Sequence, residues 1–245
     1  MVINDKIAFI PIPKNASWSV EDTCVGYKLD LKYPNVLWEN SIRMDVKIST
    51  KHIHSTVHQL LDKFGNKIEY IAIIRNSTDR LISAWKYFIS SIEQILNNEM
   101  VSNKIKKFDN HFLMEFIKEN YLQLASCYHS TYLSEDLIIT LVKKMGIYNN
   151  LNINNKFKKD FSAHILSFIS QYQWVLNDSV KVRQFDFERL NEFEDYMSNQ
   201  LDIDFKLIHQ NKTKLDYCAV TKTDELVLFV DEYIDGMFKR KKSLI

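Results

Sequence analysis

Short apolar runs bounded by polar residues alternate along this chain with longer segments of helical periodicity. The periodicity of the apolar positions predicts strands at 6–11, 46–49, 69–75 and 180–186. Apolar positions spaced three and four residues apart predict helices at about 17–27, 55–64, 78–95, 109–125, 131–145, 158–175, 188–200 and 222–240. Because helices separate the strands, the pattern predicts an α/β fold of three layers, a central parallel sheet flanked by helices.

Two of the predicted strands run directly into a polar turn and then a helix. The strand at 6–11 is followed by Lys14 and small polar residues, and the strand at 69–75 ends at Arg75, with Ser83 on the next helix. The first backbone N–H groups of a helix, together with its dipole, favour a bound anion. A guanidinium and a hydroxyl strengthen phosphate binding. The sequence therefore predicts two anion-binding turns and a ligand with phosphates at both ends.

Length and composition predict one domain over residues 1–245. A chain of 245 residues with 46% hydrophobic and 13% aromatic residues can bury a sizeable core. Its 32 basic and 31 acidic residues nearly cancel, so we expect no nucleic-acid partner. Three cysteines without metal or redox spacing fit a reducing compartment.

The amino-terminal segment already carries the first strand, which leaves no room for a signal peptide. No apolar run approaches the length of a membrane span. From the sequence we expect a soluble, cytoplasmic protein.

The two turns resemble those of sulfotransferases that use 3′-phosphoadenosine 5′-phosphosulfate (PAPS), specifically the carbohydrate and heparan type. The family's turns read approximately Pro-Lys-Thr-Gly-Gly-Thr-Ser and Arg-Asn-Pro-Trp-Asp-Arg-Leu-Val-Ser-Ala-Tyr. The corresponding segments here are Pro13-Lys14-Asn15-Ala16-Ser17-Trp18-Ser19 and Arg75-Asn76-Ser77-Thr78-Asp79-Arg80-Leu81-Ile82-Ser83-Ala84-Trp85. Lys51-His52, Val182–Leu190 and His209–Thr213 are similar to further family segments in the same order, whereas 95–160 is not covered.

The resemblance implies a P-loop-NTPase-like fold and transfer of a sulfuryl group from PAPS to a hydroxyl acceptor, usually on a carbohydrate. The products are the sulfated acceptor and 3′-phosphoadenosine 5′-phosphate (PAP). Because a lysine and backbone donors compensate the charge, we expect no metal. Animal members reside in the Golgi lumen behind a membrane anchor.

The resemblance also implies a role for individual residues. His52 would be the general base and Lys14 would stabilise the leaving phosphate. Arg75 and Ser83 would hold the 3′-phosphate, and His54, His164 and Gln171 would face the acceptor. The remaining predicted donor-site residues are Asn15, Ala16, Ser17, Trp18, Ser19, Lys212 and Thr213.

Alternatives exist for several of these assignments. Ser17 could be a helix N-cap, His164 a buried structural histidine, and Lys212 with Thr213 part of an ordinary hydrophilic loop. His52, His54 and His58 could be interpreted as a metal site, although no fourth ligand stands out in the sequence.

Two other classes of function compete with the sulfotransferase hypothesis. A nucleotide-dependent kinase on a related P-loop fold would need Mg²⁺ and a Gly-x4-Gly-Lys-Ser/Thr turn, which this sequence lacks. A non-catalytic protein that binds PAP or another nucleotide could keep the donor site without transferring sulfate. The acceptor and the oligomeric state stay open.

Overall fold

A computed structural model of the protein describes residues 1–33, 55–96, 103–126, 133–147, 155–208 and 218–236. The strand predicted at 46–49 lies outside these ranges.

The described strands form one mixed sheet. They are β1 Val2–Ile3, β2 Ile7–Ile10, β3 Leu31–Lys32, β4 Glu69–Ile74 and β5 Val182–Asp186. Their order across the sheet is β3-β1-β2-β4-β5. The strands β2, β4 and β5 are parallel, whereas β1 is antiparallel to both of its neighbours. The α/β class is confirmed, but the prediction of a wholly parallel sheet is wrong because the short strands β1 and β3 add an antiparallel edge.

Helices connect and follow the strands. They are α1 Ser17–Gly26, α2 Val57–Phe64, α3 Ser77–Leu96, α4 Asn110–Ser126, α5 Glu135–Lys144, α6 Asn155–Ile165, α7 Tyr172–Val175, α8 Leu190–Leu201 and α9 Asp224–Phe229. Single 3₁₀ turns cover Leu166–Phe168 and Phe187–Arg189, and a π-helical turn covers Val230–Ile234. Most bounds lie close to the predicted ones, but the helix predicted at 158–175 is divided.

The chain forms two compact units. The first comprises Met1–Asn76 and Gln171–Asn211, and the second comprises Ser77–Ser170 and Lys212–Ile245. The sheet, α1, α2, α7 and α8 belong to the first unit, and α3 to α6 with α9 belong to the second. The single domain over 1–245 that the sequence predicts stays a prediction.

Buried strands form the centre of the first unit. Every residue of Ile7–Ile10 is buried, as is every residue from Tyr70 to Ile73, so both faces of these strands are covered. One face belongs to a core shared with α1 and α8, formed by Ile7, Phe9, Val20, Cys24, Ile71, Ile73, Phe185, Phe193, Tyr196, Met197 and Phe205. This core fixes the ends of β2 and β4 next to each other.

Helix α2 begins with a reciprocal cap. The Thr56 side chain accepts a hydrogen bond from the Gln59 backbone N–H at 3.3 Å, and the Gln59 side chain accepts one from the Thr56 N–H at 2.9 Å. This capping box satisfies two donors that the first helical turn leaves unpaired. The cap explains why α2 begins at Val57, two residues later than predicted.

A buried arginine explains the divided helix in the second unit. Arg80 is 2% exposed and donates Nη1 to the Ser167 carbonyl at 2.9 Å and Nη2 to the Ile169 carbonyl. Ile169 is extended, with φ −71° and ψ 159°. Because the guanidinium satisfies these carbonyls, the chain leaves the helix although its apolar pattern continues.

Aromatic rings fill the core of the second unit around Trp85. Its ring centroid lies 5.4 to 6.3 Å from those of Phe88, Phe108, Phe112 and Phe168. In the part of the chain that the structure describes, no helix combines the length and the apolar character needed to cross a bilayer.

Candidate functional site

A tight turn follows β2 and leads into α1. Lys14 and Ala16 both adopt left-handed backbone conformations, with φ 68° and φ 58°, and Asn15 lies between them. The Asn15 N–H donates to the Ile12 carbonyl at 3.2 Å. Left-handed residues alternating with other conformations turn successive N–H groups toward one side, a geometry that binds anions. This turn takes its shape without a glycine.

Ala16, and not Ser17, occupies the N-cap position of α1. Its methyl group has no atom that can accept a hydrogen bond from the first helical N–H groups. The sequence alternative of a Ser17 N-cap is therefore wrong, because Ser17 is already the first helical residue. The start of α1 keeps the N–H groups and the positive dipole end that an anion needs.

Lys14 extends from this turn as a half-buried cation. Burial and, to a smaller extent, the charge of Arg75 together lower the pKa of its ammonium to about 8. Both effects disfavour the protonated form. The attraction of a bound anion would offset both of them.

Arg75 follows the last residue of β4 and lies next to the Lys14 turn. Its Nη1 is 3.5 Å from the Lys14 carbonyl oxygen, and its guanidinium carbon lies 4.6 Å from the centre of the Phe187 ring. Contact with an aromatic face stabilises a guanidinium and orients its plane. Two cations therefore converge beyond the carboxyl ends of neighbouring parallel strands, where α/β proteins bind ligands.

An acidic side chain accompanies this pair. Burial, followed by a hydrogen bond with Asp186, raises the pKa of Glu188, and the charge of Arg75 opposes that change. The Glu188 backbone N–H also donates to Asp186 Oδ1 at 3.0 Å. Glu188 thus places an acid with a raised pKa within electrostatic range of Arg75.

The side chains of Asn15 and Gln171 connect the two turns. Asn15, fully buried, donates Nδ2 to the Ile73 carbonyl and to Gln171 Oε1, both at 2.8 Å. Gln171 Oε1 also accepts from the Arg75 N–H at 3.1 Å, and its Nε2 donates to the Arg75 carbonyl at 2.6 Å. The amides hold the backbone on both sides of the cation pair.

The other predicted residues of the first turn pack inward. Ser17 and Ser19 are buried, and Trp18 is half-buried against the core of the first unit. The Ser19 carbonyl accepts a hydrogen bond from Thr23 Oγ1 at 2.6 Å. Lys14 to Ser19, Arg75 and Gln171 are thereby brought together in the first unit.

The remaining predicted site residues belong to the second unit or lie outside the described residues. Ser83 lies half-buried on α3, and His164 lies half-buried on α6 with its ring edge-on to Tyr87 at 4.7 Å, both in the second unit. His52, His54, Lys212 and Thr213 lie outside the described residues.

His58, the third histidine of the metal site considered from the sequence, contacts the side-chain amide of Asn177. Asn177 Oδ1 accepts from the Ser179 N–H at 2.7 Å, which turns its Nδ2 toward His58 Nδ1 at 3.0 Å. Within the described ranges, no three His, Cys, Asp or Glu side chains gather into a group that could hold a metal ion.

Sequence reasoning did not identify Phe187 and Glu188 as site residues. Both follow β5, the third parallel strand, at the edge where β2 and β4 also end. Their position directly after a predicted strand was the signal that could have identified them, since parallel strands bring their carboxyl ends to one edge.

Comparisons with known proteins give one distant likeness and no family. No protein-family model matches the chain, and no solved structure matches it. Over 188 residues, 74% of this chain, it is 25% identical to 1-phosphatidylinositol 4,5-bisphosphate phosphodiesterase gamma-2 from Homo sapiens. The matched stretch spans 14% of the length of that protein. A likeness of this extent carries no activity over to the chain.

Proposed function

We propose that this protein is a PAPS-dependent sulfotransferase that transfers a sulfuryl group to a hydroxyl acceptor, most often a sugar in the family it resembles. The observation that carries the proposal is the convergence of Lys14 and Arg75 at the start of α1. A P-loop-like donor site at the ends of β2 and β4 accounts for that convergence.

The electrostatics of the cation pair favour an anionic ligand. Lys14 is partly withdrawn from water and is repelled by Arg75, so its charged form is disfavoured in the free protein. An anion between the two side chains would offset both costs. PAPS supplies such anions at its 5′-phosphosulfate and its 3′-phosphate.

The residues of the first turn suit the 5′ end of PAPS. The left-handed positions at Lys14 and Ala16 are typical of anion-binding turns, and no side chain caps the first N–H groups of α1. Lys14 would add a positive charge where negative charge develops during transfer. Arg75 would hold the 3′-phosphate.

The reaction would proceed by in-line displacement. The acceptor oxygen forms a bond to sulfur while the bond from sulfur to the bridging phosphate oxygen breaks. His52 would take the acceptor proton, and the electron pair of the broken bond would remain on PAP, where Lys14 stabilises it. The proton and the charge are then both accounted for without a metal.

Transfer of radiolabelled sulfate from PAPS to a panel of mono- and oligosaccharides tests this function. Lys14→Ala should lower turnover by about 10²- to 10³-fold, as expected for the loss of one transition-state contact. His52→Ala should lower turnover while PAP still binds. Lys32→Ala is the matched control, because Lys32 is a surface lysine paired with Asp5 at 2.5 Å.

The other outcomes assign other functions. Phosphoryl transfer from Mg-ATP, abolished by EDTA, would overturn the proposal in favour of a kinase. PAP binding without sulfate transfer to any acceptor of the panel would favour a non-catalytic nucleotide-binding protein.

A further inference from the structure

The amide of Gln171 occupies a central position in the first unit. It is 1% exposed and bonds to Asn15 on one side and to both backbone polar groups of Arg75 on the other. Asn15 and Gln171 are 156 positions apart in the sequence, and Gln171 and Arg75 are 96 apart. A single side chain therefore joins segments that follow two different strands.

The Gln171 amide bonds both the N–H and the carbonyl of Arg75, as a residue of a neighbouring β-strand would. Gln171 Oε1 accepts from the Arg75 N–H at 3.1 Å, and Nε2 donates to the Arg75 carbonyl at 2.6 Å. This pair of bonds fixes the peptide groups on both sides of the Arg75 Cα. The direction in which the guanidinium leaves the backbone is fixed with them.

The contact with Asn15 fixes the other turn. Asn15 lies between two left-handed residues, and its Nδ2 bonds both Gln171 Oε1 and the Ile73 carbonyl at 2.8 Å. A glycine adopts such a turn without steric cost, whereas Lys14 and Ala16 require surrounding contacts to hold it. The Asn15 and Gln171 amides supply those contacts.

We propose that Gln171 is a positioning residue that sets the separation and orientation of Lys14 and Arg75 by bonding Asn15 and the Arg75 backbone at once. This role rests on the proposed donor site, where the pair would bind the two anionic ends of PAPS. Gln171 acts through Asn15 and Arg75 and does not itself need to contact the donor.

A double-mutant cycle distinguishes positioning from a general contribution to stability. Gln171→Met keeps the approximate length and volume of the side chain and removes the amide. PAP binding by calorimetry should weaken about tenfold or more, because small misplacements of a binding group are costly. In the Arg75→Ala background the same substitution should weaken PAP binding by a clearly smaller factor, because only its effect on Lys14 through Asn15 remains.

Asn177→Ala is the matched control. The Asn177 amide also bonds a side chain and backbone N–H groups in the first unit, to His58, Ser179 and Val180. Its loss should lower the midpoint of urea unfolding while PAP affinity stays within about twofold. Fully additive losses from Gln171→Met and Arg75→Ala would overturn the positioning role.

A second measurement needs no nucleotide and separates this proposal from the proposed function. The pKa of the Lys14 amine, about 8 in the free protein, can be followed by NMR after isotopic labelling of lysine. Gln171→Met should raise it toward the ordinary value, because a relaxed turn gains water and moves away from Arg75. Asn177→Ala should leave the pKa of Lys14 unchanged.

The two proposals then fail in different ways. If the wild-type protein binds no PAP but Gln171→Met still raises the Lys14 pKa, the sulfotransferase function is wrong and the positioning role stands. If PAP binds and neither its affinity nor the Lys14 pKa responds to Gln171→Met, the positioning role is wrong.

Discussion

The guanidinium carbon of Arg75 lies 4.6 Å from the centre of the Phe187 ring. This contact joins the end of β4 to the residue that follows β5, and it places an aromatic face beneath the group assigned to the 3′-phosphate. Cation–π contacts at partly exposed sites contribute about 0.5–1 kcal/mol. The ring therefore orients Arg75 and does not merely fill space.

Replacement of Phe187 tests this orientation. Phe187→Leu keeps an apolar side chain but removes the aromatic face, so PAP binding should weaken by about two- to fivefold. Calorimetric titration measures the change. Phe187→Tyr keeps the face and should bind PAP as the wild type does; unaltered affinity in the leucine variant would show that the ring has no part in binding.

The depressed pKa of Lys14 predicts how PAP affinity varies with pH. An anion favours the charged ammonium, so binding should weaken as pH rises through about 8, where Lys14 loses its proton in the free protein. The slope should approach about tenfold per pH unit above that value. Titrations between pH 7 and pH 10 measure it, since phosphate groups with a second pKa of about 6 remain ionised there.

Lys14→Arg is the control for that pH profile. An arginine keeps its proton throughout this range, so the profile of the variant should be flat. A profile as steep as that of the wild type would assign the titration to another group.

The lowered pKa of Lys14 also predicts that the protein without ligand becomes more stable as pH rises. That pKa is about 8 in the folded state and about 10.4 when unfolded, so the unfolded chain binds more protons between these values. The free energy of unfolding should rise across this window by about 3 kcal/mol, since each pKa unit corresponds to about 1.4 kcal/mol. Urea unfolding of the wild type and of Lys14→Met measures it; an equal rise in both would contradict the assignment.

Asn15→Asp tests the buried amide between the two turns. The introduced carboxylate cannot donate to the Ile73 carbonyl and would be buried without a partner for that oxygen, so stability should fall by about 2–4 kcal/mol at pH 7. The loss should shrink as pH falls toward about 4, because burial raises the pKa of the carboxyl and its protonated form can donate.

Asn177→Asp is the control substitution for Asn15→Asp. Its oxygen accepts from the Ser179 and Val180 N–H groups, contacts that a carboxylate keeps. Urea unfolding should show a loss below about 1 kcal/mol. Equal losses at the two positions would mean that the Asn15 donor contributes nothing specific.

Replacement of Arg80 tests how much its buried hydrogen bonds stabilise the second unit. Arg80→Met removes the donors to the Ser167 and Ile169 carbonyls but fills a similar volume, and it should destabilise the protein by about 2–4 kcal/mol in urea unfolding. Arg189→Met, which removes an exposed pair with Glu192 at 2.7 Å, should cost less than about 1 kcal/mol. Similar costs would show that burial of Arg80 adds nothing.

Local sequence patterns predicted the three parallel strands well. The expected strands at 6–11, 69–75 and 180–186 correspond to Ile7–Ile10, Glu69–Ile74 and Val182–Asp186. In β2 and most of β4 both faces are buried, so apolar residues fill successive positions and give a strong local signal. The strand β5 has polar residues at three of its five positions and is less buried. Strands of two residues, such as Val2–Ile3 and Leu31–Lys32, have no periodicity, and only their distant pairing defines them.

Contacts between distant residues account for what the sequence did not predict. The apolar pattern over 158–175 continues through Ile169 and gives no sign of the break there. The break is created by hydrogen bonds from Arg80, which lies 87 and 89 positions away from the two carbonyls that it bonds. Likewise, Lys14 and Arg75 were identified from their positions at strand ends. The link through Gln171 was not, since no local pattern marks an amide that bonds two remote turns.

Thermal unfolding of the wild-type protein with PAP, ADP or Mg-ATP, each with and without EDTA, tests the central claim most directly. A ligand present at about 100 times its dissociation constant stabilises the folded state by about 2.7 kcal/mol, worth ~5–10 °C for a chain of this length. The account predicts such a shift with PAP, a smaller one with ADP, and no effect of EDTA on either. A shift with Mg-ATP alone that EDTA abolishes, or no shift with PAP, would contradict a PAPS donor site at Lys14 and Arg75.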